Sequence, residues 1–218
     1  MLCCLRTMKC LRTSLPFLLF LCCFFNASAQ TPVIKIDLNQ TGRPDAEVLE
    51  PGYTGWALPG TTVDTATLAL SNGVTIKLIR KGPYGDKLNT NWYKAGIQTP
   101  YFARLVCDGV RVNNGTNGAQ IEMRISGLPA GTHSILTYHN NVDNLAAGTY
   151  APIDVYLDGT MKYDNLMPTV RSTVTSDVPT AYVFANAVPG QDVVMLFVAD
   201  TTTGAGHKNF MLDRKSVV

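Results

Sequence analysis

The chain has 218 residues, with 18 Lys and Arg against 16 Asp and Glu, so its formal net charge is only +2. No basic run stands out, which excludes the electrostatic footprint of a nucleic-acid binder. Gly, Thr, Asn and Pro are frequent and helical Leu/Glu/Lys periodicity is nearly absent, an all-β composition.

The first residues read as a leader and not as part of the fold. Arg6, Lys9 and Arg12 are followed by the apolar run Leu15 to Phe25 and by Ala27-Ser28-Ala29. That three-part pattern is a secretory signal, with cleavage expected before Gln30. The apolar run is shorter than the ~20 residues that span a bilayer. The expected location is therefore secreted, periplasmic or cell-surface, with no membrane partner after cleavage. Cys3, Cys4, Cys10, Cys22 and Cys23 lie in this leader. Only Cys107 remains in residues 30–212, so no internal disulfide is expected there and the domain must rely on its core.

In chain order, Val33 to Leu38 alternates apolar and polar residues, a first strand. Residues 39–60 carry Gly42, Pro44, Pro51, Gly52, Pro59 and Gly60 and read as a long loop holding Tyr53 and Trp56. Loops of that length are usually functional or ordered by a ligand or metal. Thr67 to Leu70 and Val74 to Ile79 flank Asn72-Gly73, a strong hairpin signal. Residues 80–100 read as a second loop with Tyr84, Trp92 and Tyr93. Phe102 to Cys107 reads as a strand, with Asp108-Gly109 as a turn before Val110 to Val112.

Gln120 to Ile125 leads into the stretch Ile125 to Asn140. There Gly127, Pro129 and Gly131 make a turn, and Ile135 to Tyr138 form a strand whose tip carries His139, Asn140, Asn141 and Asp143. Residues 140–152 read as a third loop. Ile153 to Leu157 is a strand closed by Asp158-Gly159, and residues 162–169 read as irregular. Val170 to Val174, Ala181 to Ala185 and Val193 to Ala199 are further strands. Asn209 to Leu212 opens a last one that is cut short. About nine or ten short strands without a convincing helix read as an antiparallel β-sandwich or barrel. Asp213 to Val218 reads as a tail foreign to the domain. One choice of codons for it matches the start of a common sequencing adapter, so the natural chain is expected to continue past Leu212. The organisation expected is a leader at 1–29, one sandwich domain at 30–212 and this tail at 213–218.

No HExxH, GxSxG, phosphate loop or Cys/His metal cluster occurs. Of the 3 histidines, His133 sits in a turn and reads as structural, and His207 reads as solvated. His139 is the candidate, beside Asn140 and Asp143. The aromatics carry more information. Tyr53, Trp56, Tyr84, Trp92, Tyr93 and Tyr101 lie in or beside loops, where an aromatic plane can stack on the C–H face of a sugar while neighbouring polar groups read its hydroxyls. Trp92 has Asn89, Asn91 and Lys94 beside it. The bland alternative is that one or both tryptophans plug the ends of the core. Asp37, Asp45 and Glu47, with backbone carbonyls, offer the oxygen ligands that a structural calcium would take. Tyr138, His139 and Asp143 would be the acid–base groups if the domain were catalytic.

Gly127-Leu128-Pro129-Ala130-Gly131-Thr132 followed by Asp154-Val155-Tyr156-Leu157-Asp158-Gly159 resembles the turn and strand motifs of malectin-like and galactose-binding-like modules. The opening Val33 to Trp56, with Gly52-Tyr53, and the stretch Asn209 to Leu212 resemble their first and last strands. His133 stands where the pattern often has Tyr. The resemblance implies a jelly-roll sandwich that binds polysaccharide without catalysis. Such modules accompany secreted, Bacteroidetes-type glycan-degrading enzymes, so a catalytic domain would follow in the same chain. Membership in the catalytic region of a lyase or hydrolase, or a structural or adhesive role, are the alternatives.

Overall fold

The computed structural model describes residues 33–59, 62–82, 87–93, 103–112, 118–143, 145–146, 148–172 and 174–217. Its strands are β1 (Ile34–Asn39), β2 (Thr54–Ala57), β3 (Thr65–Ala69), β4 (Thr75–Lys81), β5 (Leu88–Trp92), β6 (Asp108–Val112), β7 (Gln120–Ser126) and β8 (Gly131–Tyr138). They continue with β9 (Asn140–Asn141), β10 (Ile153–Leu157), β11 (Thr160–Leu166), β12 (Thr169–Val170), β13 (Thr180–Ala187), β14 (Val193–Ala199) and β15 (Met211–Val217). One short helix, α1 (Asp45–Val48), and 3-10 turns at Ala103–Leu105 and Thr175–Asp177 complete the described elements.

The strands form two large sheets. One runs β13-β8-β15-β1-β2, with β6 attached to β15 and β5 to β6; the other runs β11-β10-β14-β7-β4-β3. Every pairing within these sheets is antiparallel except β1 with β2. The fold is an antiparallel β-sandwich, as the composition implies.

Period-2 alternation places the core. In β13, Ala181, Val183, Ala185 and Ala187 point inward and the residues between them point out. In β14 the inward set is Val193, Met195, Phe197 and Ala199. These join Ile36, Leu38, Ile76, Leu78, Ile121, Met123, Ile135 and Val155 in one continuous cluster drawn from both sheets. Burying such side chains contributes about 1.5–3 kcal/mol each, which a domain without a disulfide depends on. Cys107 is buried and free, as expected.

Several expected loops contain regular structure. Residues 39–60 hold α1 and β2, and β2 lies parallel to β1 with Leu38 opposite Trp56. Residues 80–100 hold β5, which pairs with β6 from Leu88–Val112 to Trp92–Asp108. Asp108-Gly109 is therefore the start of a strand and not a turn. Phe102 to Cys107 is not a strand: its described part holds the 3-10 turn. Residues 162–169, read as irregular, are mostly β11. β2 and β5 take their backbone partners from residues about 16 to 24 positions away, which local turn chemistry does not reveal, whereas β11 folds back on β10 across Asp158-Gly159.

The last strand does not stop at Leu212. It runs on to Val217 between β8 and β1, with a register irregularity between Asp213 and Lys215.

The turn after β7 shows how tightly the strand ends pack. Gly127 has φ +77°, and a Cβ there would stand 2.5 Å from the Gly73 carbonyl oxygen in the β3–β4 hairpin. Gly127→Ala should lower stability by about 1–3 kcal/mol from the backbone conformation alone. Urea unfolding followed by far-UV circular dichroism checks this; an unchanged midpoint would show that Gly127 does not hold this strained turn against the β3–β4 hairpin.

Candidate functional site

The outer face of the first sheet is not bare. Residues 40–53, 103–107 and 169–172 lie over it, and this decides the fate of most of the predicted site residues. Asp37 and Asn39 alternate with Ile36 and Leu38 on β1, so they point away from the core, yet they are 0% and 4% exposed. The Asp37 Oδ2 accepts the Glu50 amide at 2.7 Å, and the Asp108 Oδ2 accepts the Gln40 amide at 2.7 Å. The Thr90 hydroxyl accepts the Thr41 amide at 3.2 Å. Irregular backbone buried against a sheet must find hydrogen-bond partners, and these side chains supply them.

The tip of β8 meets the same fate. It was expected to eject His139 and Asn140 into solvent; both are 0% exposed. The chain continues into β9, which pairs in parallel with β12. The Asn140 Nδ2 donates to the Val106 and Ser172 carbonyls at 2.7 and 2.9 Å. Its Oδ1 accepts the Thr169 hydroxyl and the Ser172 amide, each at 3.0 Å. That carboxamide has no capacity left for a ligand. His139 bonds Thr137 through Nε2 at 3.0 Å and packs on Phe197, with ring centroids 5.5 Å apart. Burial pushes its pKa down to about 4, so at neutral pH it is an uncharged core residue. Tyr138 packs on the separate cluster of Leu105, Val106 and Val178. The catalytic alternative required Tyr138, His139 and Asp143 on one surface, and they are not. His133 is structural, its Nε2 lying 2.8 Å from the Pro129 carbonyl oxygen.

The predicted stacking residues are mostly occupied. Trp56 is 4% exposed and belongs to the core, as the bland reading of the tryptophans has it. Tyr93 is buried and its hydroxyl donates to the Ser172 carbonyl at 2.6 Å. Trp92 is half-buried, and the Arg43 guanidinium lies 3.7 Å from its ring centroid, where a sugar ring would have to sit. Tyr53 is half-buried with the Lys35 ammonium 5.4 Å from its centroid. Tyr84 and Tyr101 lie outside the described residues.

The predicted calcium ligands separate. Asp37 is under the loop, Asp45 is exposed on α1, and Glu47 pairs with Arg43 at 3.5 Å. Among the described residues no group of three or more His, Cys, Asp and Glu is placed to hold a metal. The neighbour of Asp37 is instead Asp108. Burial, and then the Asp37 charge, push the Asp108 pKa well above the usual carboxylate range. The oxygen donors at this end are Asp37, Asp108 and the Asn39 Oδ1, and the Oδ1 atoms of Asp108 and Asn39 have no hydrogen-bond partner. Those are the residues that would hold a hard cation.

One predicted residue does reach the surface in polar company. The Asp143 carboxylate accepts the Asn91 Nδ2 at 3.0 Å and pairs with the Arg111 Nη1 at 3.2 Å. Asn91 and Arg111 stand on the adjacent strands β5 and β6. The side chains of Arg111 and Asp143 are 21% and 37% exposed, so the cluster is half open. Tyr150 lies beside it. Burial, then the Asp143 charge, hold its phenol proton on well above the ordinary range. The Tyr150 ring also faces His207, at 5.9 Å between centroids, and lines a shallow pocket of about 300 Å³ with Gly148, Pro152, Met167, Thr203 and Ala205. Sequence reasoning found Asp143 but missed Arg111 and Tyr150. Arg111 is remote from Asp143 in sequence, and Tyr150 follows it in the same connecting segment without a pattern that marks it.

No protein-family model matches the chain, and no curated protein is similar to it. Among solved structures the chain is similar to a family 35 carbohydrate-binding module from Clostridium thermocellum, at 14% identity and a TM-score of 0.36 over 70% of this chain and 98% of that one. It is similar also to the C-terminal family 6 carbohydrate-binding module of a laminarinase from Zobellia galactanivorans, at 13% identity and a TM-score of 0.32 over 85% and 99%. A GH31 α-xylosidase from Xanthomonas citri matches at 15% identity and a TM-score of 0.25, over 50% of this chain and only 12% of the enzyme. Scores of this size transfer no residue, and the site stands on its own geometry.

The Asp37–Asp108 pair gives a pH prediction. The folded-state pKa of Asp108 is raised, so the folded chain holds a proton that the unfolded chain releases above the ordinary carboxylate range. Folding stability from this group is present at low pH and is lost as pH rises through that window. Asp108→Asn should therefore unfold at higher urea than the parent at pH 7, and the two midpoints should converge towards pH 4. A midpoint that falls at pH 7, and only in the presence of calcium, would show that a cation holds the pair in place of a proton.

Proposed function

We propose that this chain is a non-catalytic carbohydrate-binding module of a secreted glycan-degrading protein. The observation that carries the reading is the half-open cluster of Asn91, Arg111 and Asp143 with Tyr150 and the pocket beside it. A carboxylate, a guanidinium and a carboxamide held by strands present both acceptors and donors at fixed positions. Such an array matches the vicinal hydroxyls of a sugar, each of which donates and accepts. The pocket supplies the apolar part of such a site through Met167, with Tyr150 buried beneath it.

The rest of the reading follows from the sequence. The leader pattern supports export, and the resemblance to malectin-like modules supports a setting beside a downstream catalytic domain in a bacterial, Bacteroidetes-type protein. The names of the solved structures, carbohydrate-binding modules of families 35 and 6, accord with it. The residues an acid–base mechanism would use are split between the core and the surface, which favours binding over turnover.

Affinity electrophoresis of the full chain through polysaccharide-containing gels tests the site. Asp143→Asn removes a charged acceptor, worth about 1.5–3 kcal/mol, and Asn91→Ala a neutral group, worth about 0.5–1.5 kcal/mol. Asp143→Asn should weaken binding about tenfold or more and Asn91→Ala about two- to tenfold, each with the chain still folded by far-UV circular dichroism. Retardation equal to the parent's in both variants would place the sugar elsewhere, and no retardation of the parent in any gel would end the reading.

A further inference from the structure

Among the described residues, those with the most exposed aromatic surface are not in loops. They are Tyr182 and Phe184 on β13, 47% and 62% exposed. Their rings meet edge to face, 5.1 Å between centroids and 75° between planes. The alternation in Thr180–Ala187 forces this arrangement, because the small residues between them fill the core. On β8, Leu136 and Ser134 stand opposite them, and Asn186 pairs with Thr132.

Two features limit what can cover this face. The first is charge. No Asp, Glu, Lys or Arg occurs from Val178 to Gln191, and none occurs in β8. The apolar rings are rimmed by the neutral hydrogen-bonding groups Thr132, Ser134 and Asn186. The second is the strand edge. β13 ends its sheet, and an uncharged edge with high β propensity is a template for pairing with another strand. Here the Tyr163 hydroxyl, from β11, accepts the Tyr182 amide and donates to the Tyr182 carbonyl, both at 2.9 Å. It occupies the backbone groups of Tyr182, at the middle of that edge, and it fixes the segment that carries the rings. The rings stay open while the edge is blocked at Tyr182.

We infer that Tyr182 and Phe184 form a contact site for a neutral glycan, distinct from the Asp143 cluster; this rests on the carbohydrate-binding reading. Planes at 75° cannot both lie under one flat ligand. One ring stacks on the C–H face of a pyranose while the other walls its side, and Ser134, Thr132 and Asn186 reach its hydroxyls. The lack of charge selects against acidic polysaccharides, because an anionic chain would gain no counter-charge there.

The test uses the full chain in gels containing neutral polysaccharides (β-glucan, xylan, galactomannan) or acidic ones (polygalacturonate, alginate), with sedimentation velocity alongside. Tyr182→Ala/Phe184→Ala should weaken retardation by a neutral glycan about tenfold or more and leave any retardation by acidic glycans unchanged. Tyr163→Phe, which keeps both rings, should weaken it less and raise the dimer fraction. If the parent binds a neutral glycan and the double variant binds it equally, the inference fails while the carbohydrate-binding reading stands. If the parent is retarded only by acidic glycans, the inference fails alone; if by none, both fail. A parent that sediments as a dimer, with a monomeric double variant, would show that a second copy covers the face and would overturn it.

Discussion

The structure depends on one constraint. Largely irregular chain lies against the outer face of a β-sheet, and those of its amides and carbonyls that face the sheet need partners there. The side chains of the sheet answer them. Asp37 takes the Glu50 amide, Asp108 the Gln40 amide, Thr90 the Thr41 amide and Asn141 the Met211 amide. Asn140 satisfies the 106 and 172 carbonyls and the 172 amide at once. Without these side chains the covering segments would carry unpaired backbone groups, at a cost of about 1–3 kcal/mol each.

That constraint sorts the polar residues of the chain. Those under the covering segments are structural whatever their chemistry, which removes His139, Asn140, Asp37 and Asp108 from contact with a sugar. Those beyond the cover are available, and Asp143 is the clearest because Arg111 and Asn91 hold it without burying it. Among the described residues, no such cover lies over Tyr182 and Phe184 on β13, at the end of the same sheet. There the outward row is aromatic and uncharged, and the Tyr163 hydroxyl blocks the edge at Tyr182. A charged, hydrogen-bonding cluster and a neutral aromatic corner thus stand on one sandwich, and each suits a different part of a carbohydrate.

How far the site could be read from sequence differs residue by residue. Asp143 was legible because it follows a strand and a polar run. Trp92 was legible as a surface aromatic, but its ring is covered by Arg43, 49 residues earlier in the chain, and no local pattern reveals that. Trp56 sits among glycines and prolines and reads as loop; a parallel pairing with β1 makes it a core residue. Tyr182 and Phe184 carried a usable signal in the alternation of AYVFANA. Small residues at the inward positions mean that the large ones point out, and weighing loops above strands hid it.

The amino-acid sequence by itself determined the all-β class, the main core strands and the tight turns at Asn72-Gly73 and Asp158-Gly159, because alternation and turn chemistry are local properties of the chain. It also determined that residues 33–217 hold together without a disulfide. Only the tertiary structure decided which polar residues are buried and which are exposed. Burial on the outer face depends on segments far away in sequence folding back over the sheet, and the same polar residue serves a ligand or a backbone amide according to whether that cover arrives.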